Sequence, residues 1–265
     1  MTKLSDFNGY GEEIERWLQL RTSPIAIKLL EKEEDIPEET MRPKRDRGFH
    51  LGLCQAFAMS RREGAQVAML KEDHWCYPPV IAFGLEEPPE FILEGNIDFP
   101  NRVADLEAAK RLARTSPRLE HGKYVGVVSA PLKTANFEPD LVVTYCNSAQ
   151  LRCLLVGIKY KEGYQVTSTI EPGGACIQST VPVILSGECQ VAIPCMGDRK
   201  AAHARDDEMI FSVPKSRLED LMLGLRHMDE SGSGYTATTS IMRPEYPLYK
   251  PYIEVGRMMG MEVHE

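Results

Sequence analysis

The sequence predicts an α+β or α/β fold, a single domain built on a mixed β-sheet flanked by helices. Three observations carry this. Short continuous apolar runs such as IAIKLL (25–30), YVGVVSAPL (124–132) and DLVVTYC (140–146) read as buried strands. Amphipathic helical patterns lie between them. No repeat and no low-complexity linker divides the 265 residues, so positions 1–265 are read as one domain, with a Gly-, Tyr- and Pro-rich tail from about 231 packing irregularly.

The elements follow in order. Tyr10, Ile14, Trp17 and Leu18 share one face of an opening helix, which Ser23-Pro24 stops. IAIKLL is a strand. The charged stretch from Glu31 to Arg47 carries a basic knot of Arg42, Lys44, Arg45 and Arg47, read as a solvated loop or, alternatively, a contact for an anion or acidic partner. Residues 52–63 predict a short helix, QVAML (66–70) a strand, and VIAFGL (80–85) a second strand after the KEDHWCYPP loop. EEPPEFILEGNIDFP is a surface excursion or lid. Asn101 to Arg114 is an amphipathic helix with Val103, Leu106, Ala109 and Leu112 on its stripe. After two strands, Ser148 to Tyr160 predicts a helix with Ser148 as its cap. QVTSTIE (165–171), CQVAIPC (189–195) and EMIFSVP (208–214) read as strands. A glycine turn at PGGAC opens a short helix, and Lys215 to Met228 predicts a longer one.

Composition excludes several classes. At 43% hydrophobic and 26% charged, the chain is neither disordered nor a disulfide-stapled miniprotein. With 31 basic against 39 acidic residues, its net charge of −8 argues against nucleic acid or an anionic membrane as partner. No apolar run is long enough to span a bilayer, and the N-terminus has no apolar signal core. The expected location is the cytoplasm, where seven cysteines stay reduced or bind metal.

No C-x-x-C pair occurs, so any metal site must be assembled from distant segments. Cys153 lies mid-helix among leucines, and Cys146 and Cys189 bound apolar strands. All three read as packing, because a free thiol behaves as a small hydrophobe. The other four sit elsewhere. Cys54 opens a helix after Gly52, Cys76 lies in a loop, Cys176 follows Gly173-Gly174, and Cys195 precedes Gly197-Asp198-Arg199. A helix start favours the thiolate, the form that binds metal. Four unrelated thiols is the plain alternative. His50 and His74 add another, a zinc site with Cys54 and Cys76. The backbone N–H groups around Gly173 and Gly174 could cradle an anion or cluster, and Arg199 could bind a carboxylate or phosphate, or close a turn salt bridge. No nucleophile–base pair is legible in the spacing.

SPIAIKL, Cys54-Gln55, Cys76, APLKTANFEPDLVV, the Gln150 helix, GGAC and CMGDRKAAHARDDEMIFSVP together make the chain resemble the domain-of-unknown-function family 169, the uncharacterised ArCR family, over about residues 20–230. The resemblance implies a setting in archaea and anaerobic bacteria and brings no settled activity. It implies Cys54, Cys76, Cys176 and Cys195 as the family's cysteines, the four that local context selects.

The expectation is therefore an iron–sulfur protein holding a 4Fe–4S cluster on these four thiols, with a redox or electron-transfer role and a redox partner protein. A structural zinc protein, or a binder of a tetrapyrrole or other small anionic cofactor, is the alternative. The four segments should then converge at one end of the sheet, with Arg199 and His74 at the rim. The sequence leaves room for a homo-oligomer and specifies no reaction.

Overall fold

The structure is a computed structural model and describes residues 3–236 and 250–262. Residues 1–235 form one compact unit and 236–265 a second, small one. In chain order the first unit opens with helix α1 (Leu4–Leu18) and strand β1 (Ile25–Leu30), then short helices α2 (Pro43–Arg47) and α3 (Leu53–Ala58). Strand β2 (Val67–Leu70) follows, with helices α4 (Tyr77–Ala82), α5 (Glu90–Leu93) and α6 (Leu106–Thr115). Strands β3 (Gly126–Pro131) and β4 (Leu141–Cys146) lead to helix α7 (Ser148–Lys159) and short helices α8 (Ala175–Gln178) and α9 (Val181–Ser186). Strand β5 (Gln190–Ala192), helix α10 (Met196–Ala201), strand β6 (Met209–Pro214) and helix α11 (Lys215–Glu230) complete it. In the second unit, helix α12 spans Lys250–Met258. The irregular packing expected of the tail over 237–249 and 263–265 lies outside the described residues.

The fold is α+β. The six strands form one sheet in the order β2-β3-β1-β4-β6-β5, and every strand pair is antiparallel. Two isolated parallel bridges, Met41↔Val67 and Leu51↔His74, add to it. Strands β1 to β4 read as unbroken apolar runs because both faces are covered. Successive side chains leave a strand on opposite faces. Ala26, Leu30, Val128, Val142 and Phe211 accordingly join a core with α1, α7 and α11. Ile25, Ile27, Val127, Val143, Tyr145 and Ile210 join a second core with α3, α8 and α9. Long helices thus cover one face, where Cys146, Cys153 and Cys189 lie, and short ones the other, where Cys176 and Cys195 lie.

Several expectations change, among them the helix expected from Asn101, which starts only at Leu106 and leaves Val103 outside it. VIAFGL is not a strand: its first residues finish α4, because Pro78 and Pro79 preset the dihedrals of a first helical turn. Residues 165–171 form no strand either. They lie along β5 and satisfy it through other atoms, Val191 N–H donating to Ser168 Oγ (2.8 Å) and the Gln190 amide to the Thr169 carbonyl (3.1 Å). The basic knot forms α2 and its cap rather than a loop, with Lys44, Arg45 and Arg47 solvated as expected and Arg42 not. Arg42 is 2% exposed and its guanidinium bonds Asp73 (2.7 Å), Glu33 (3.0 Å) and Glu72.

The cap of α7 falls one residue before the expected Ser148. Asn147 Oδ1 accepts from Gln150 N–H (2.9 Å) and Gln150 Oε1 from Asn147 N–H (2.8 Å). The same Gln150 amide donates to the carbonyl of Leu18 (2.9 Å), tying the end of α1 to the start of α7. Asn147→Ala should cost about 1 kcal/mol, read as a lower urea midpoint at unchanged slope. No loss would show that the cap is redundant with the surrounding packing.

Candidate metal centre

Each of the four selected cysteines stands at the first turn of a short helix. Cys54 is the second residue of α3 and Cys176 the second of α8. Cys76 and Cys195 are the residues that cap α4 and α10. These helices pack on one another: α3 on α8 and on α10, and α4 on α8. Local chain geometry sets the first pair of segments together. Leu51 N–H donates to the Asp73 carbonyl (2.9 Å) and Trp75 N–H to the Leu51 carbonyl (3.1 Å), so the approach to Cys54 runs beside the approach to Cys76. The Gln55 side-chain oxygen accepts from Gly52 N–H (2.9 Å) and from the Trp75 indole (2.8 Å), pinning the ring over this turn. Gly52 packs closely under this ring: a Cβ there would lie 3.3 Å from the Trp75 ring and 3.5 Å from Cys54 Sγ.

The four thiols lie within electrostatic reach of one another. Charge on Cys195 or Cys76 raises the pKa of Cys54, charge on Cys195 raises that of Cys76, and charge on any of the other three raises that of Cys176. All six pairs are thus coupled. The larger cause in each case is burial, which pushes Cys54 up to about 12 and holds Cys176 well above the usual thiol range. Cys54 and Cys176 are buried, whereas Cys76 and Cys195 are half-buried. Trp75, Tyr77 and Met196, adjacent in sequence to the two half-buried thiols, are exposed. Cys146 and Cys189 couple to none of the four, and Cys153 packs inside α7. Among the described residues, no three His, Cys, Asp or Glu side chains close on a single metal ion.

The other expected site residues are placed differently. Cys176 and Cys195 belong to the core on the face of the sheet covered by short helices, and Cys195 lies just beyond the end of β5. Gly173 N–H is already taken by the Glu171 carboxylate (2.8 Å), and Gly174 caps α8 without a side-chain bond. Arg199 makes the turn salt bridge, with Asp206 at the surface. His50 is exposed. His74 has both ring nitrogens buried without a partner, and burial lowers its pKa to about 4, so the ring is neutral.

Sequence reasoning missed the polar array beneath Cys195. Asp198 N–H donates to Cys195 Sγ (3.4 Å), and the Asp198 carboxylate accepts from the Tyr145 hydroxyl (2.9 Å). The Arg61 guanidinium stands 3.9 Å from the centre of the Tyr145 ring and pairs with Glu208 (3.0 and 3.2 Å). Burial raises the Asp198 pKa to about 6, and its Oδ1 has no partner. Arg61 falls near the end of the helix predicted over 52–63 and Glu208 opens the strand predicted over 208–214, and nothing in the spacing pairs them.

The sequence profile of the DUF169 family, described as uncharacterised ArCR, matches residues 13–224, and the chain belongs to that family. An uncharacterised protein of Methanocaldococcus jannaschii is 26% identical over 208 residues, covering 77% of this chain and 86% of its own length. No solved structure matches the chain. Among the described residues, no helix is long and apolar enough to cross a membrane.

Proposed function

We propose that the chain binds a 4Fe–4S cluster on Cys54, Cys76, Cys176 and Cys195 and serves a redox or electron-transfer role. The observation that carries this reading is geometric: each of these four cysteines stands at the first turn of a short helix, and those helices pack on one another, α3 on α8 and α10 and α4 on α8. The donor set fits, since four thiolates are the usual ligands of such a cluster. A lone zinc would need its sulfurs within about 4 Å of one another, from Zn–S bonds of about 2.3 Å. A cube holds its thiolate sulfurs wider, about 6–7 Å apart, so the proposal asks for convergence of the thiols rather than closure on one ion.

Bound there, the cluster would supply one-electron transfer. The chain's own part is to hold the ligands and limit solvent. The buried Cys54 and Cys176 would anchor it on the inner side, and the half-buried Cys76 and Cys195 would hold it toward the surface. Trp75, Tyr77 and Met196 would form the apolar rim that a redox partner protein approaches.

The test is the full chain purified without oxygen, or reconstituted with iron and sulfide. Expected are a broad absorption near about 400 nm and about four irons and four sulfides per chain. Serine at any one of the four positions should lower iron content severalfold, while Cys153→Ala should keep it. A colourless protein holding one zinc or no metal, a sharp Soret-type band, or wild-type iron content retained in all four variants would overturn the proposal.

A further inference from the structure

Beside the candidate ligands, a cavity of about 110 Å³ opens between α4, α5, α6 and α8. Tyr77 and Pro78, which follow Cys76, form one wall, and Gly174 and Ile177, which bracket Cys176, form another. We infer that this cavity binds a small, neutral, aliphatic molecule and holds it beside the turns that carry Cys76 and Cys176.

The wall is the first observation. Ile81, Ile92, Ile97 and Leu112 all line the cavity, and all four stay half-buried. None of them joins either hydrophobic core of the sheet. Ile92 and Ile97 come from the Pro- and Glu-rich stretch over 86–100, which thus faces α4 and α6 across the cavity with aliphatic side chains. Branched side chains left part-open to water around a concavity gain from an apolar body that displaces that water.

Polarity is the second. The lining sets Asp98 and Glu171 against Arg102 and Arg118, so it is neutral overall. Each of these groups is already engaged within the chain. Arg102 pairs with Asp98 (3.2 Å), the Glu171 carboxylate accepts from Gly173 N–H (2.8 Å), and Arg118 donates to the Ala113 carbonyl. The Ser116 hydroxyl donates to the Leu112 carbonyl (3.0 Å). Among the described residues, none that lines the cavity has a buried side-chain polar atom left without a partner. The site offers no net counter-charge to an ion, which would give up its hydration uncompensated. Size completes the class: at roughly 30 Å³ per water the space equals about four waters, enough for about five or six non-hydrogen atoms.

This binding goes beyond the cluster proposal and needs no cluster, so it is tested on the full chain in its cluster-free form. Isobutanol is titrated by saturation-transfer NMR beside two ions of the same branched shape, isobutylammonium and isobutyrate. Isobutanol should bind at least fivefold more tightly than either ion. Ile97→Asp, which sets a charge in the apolar wall, and Leu112→Trp, which fills the space, should each weaken isobutanol at least fivefold, with folding checked by the urea midpoint. No saturable binding of isobutanol, equal or tighter binding of either ion, or wild-type affinity in a variant that keeps the wild-type midpoint would overturn the inference. The comparison of alcohol with ions uses the unmodified chain, so it decides the matter even where a variant fails to fold. Iron content is a separate readout, so failure here leaves the cluster proposal to its own test.

Discussion

Gly224→Ala should destabilise the chain by about 3 kcal/mol or more, at the upper end of what overpacking costs. A methyl at 224 would lie 2.0 Å from the carbonyl oxygen of Gly157 and 2.6 Å from its carbon. Those are backbone atoms of α7, and no rotamer change can move them. The two helices must separate, and Leu154, Ile158, Leu221 and Leu225, all buried at this contact, would lose close packing together. Helix propensity works in the opposite direction, since alanine beats glycine by about 1 kcal/mol, so the observed loss is net of that gain. Gly9→Ala is the control. Gly9 lies in α1 with nothing within 4 Å of the added methyl, and the same change there should stabilise by about 0.5–1 kcal/mol. Urea midpoints of the two variants should move in opposite directions. A neutral Gly224→Ala would mean that α7 and α11 do not cross as closely as described.

Much of the sheet was legible because burial on both faces leaves an unmistakable apolar run. IAIKLL, VAML, GVVSAP and LVVTYC each contain little or nothing polar. Their order was not legible: β3 pairs with both β1 and β2, and β6 sits between β4 and β5, which are choices made by tertiary contact. VIAFGL misled because a short apolar run reads the same in a helix and in a strand, and the two prolines before it carried the deciding information. The four cysteines were separable because a helix start is a local feature. What joined them, the packing of α3 on α8 and α10 and of α4 on α8, is not written in any spacing. Buried charge was invisible for a related reason. Arg42 and Arg61 look like surface residues until their partners, 31 and 147 residues downstream, are seen beside them.

Arg61→Met should be the second large loss, about 3–5 kcal/mol, the usual result of removing one member of a buried ion pair. The Arg61 side chain is 1% exposed and that of Glu208 4%. Taking away the guanidinium leaves the Glu208 carboxylate with the Arg205 N–H (2.9 Å) and a distant Arg62 (4.0 Å), too little to replace two direct bonds. Arg61 also holds the face of the Tyr145 ring, whose hydroxyl bonds Asp198 in the turn after Cys195. The irregular turn over Met59–Glu63, wound wider than an α-helix, precedes this contact and carries Arg61 inward. The cost comes mainly from the stranded charge and not from the lost attraction, because pairing in the interior is largely offset by desolvation. That distinction has a direct consequence. Neutralising the partner as well, in Arg61→Met with Glu208→Gln, should recover part of the loss, since glutamine keeps an acceptor for the Arg205 N–H and carries no charge. The double variant should therefore be more stable than Arg61→Met alone, by at least about 1 kcal/mol in urea denaturation. A double variant as unstable as the sum of the two singles would place the effect in lost packing against Tyr145 instead.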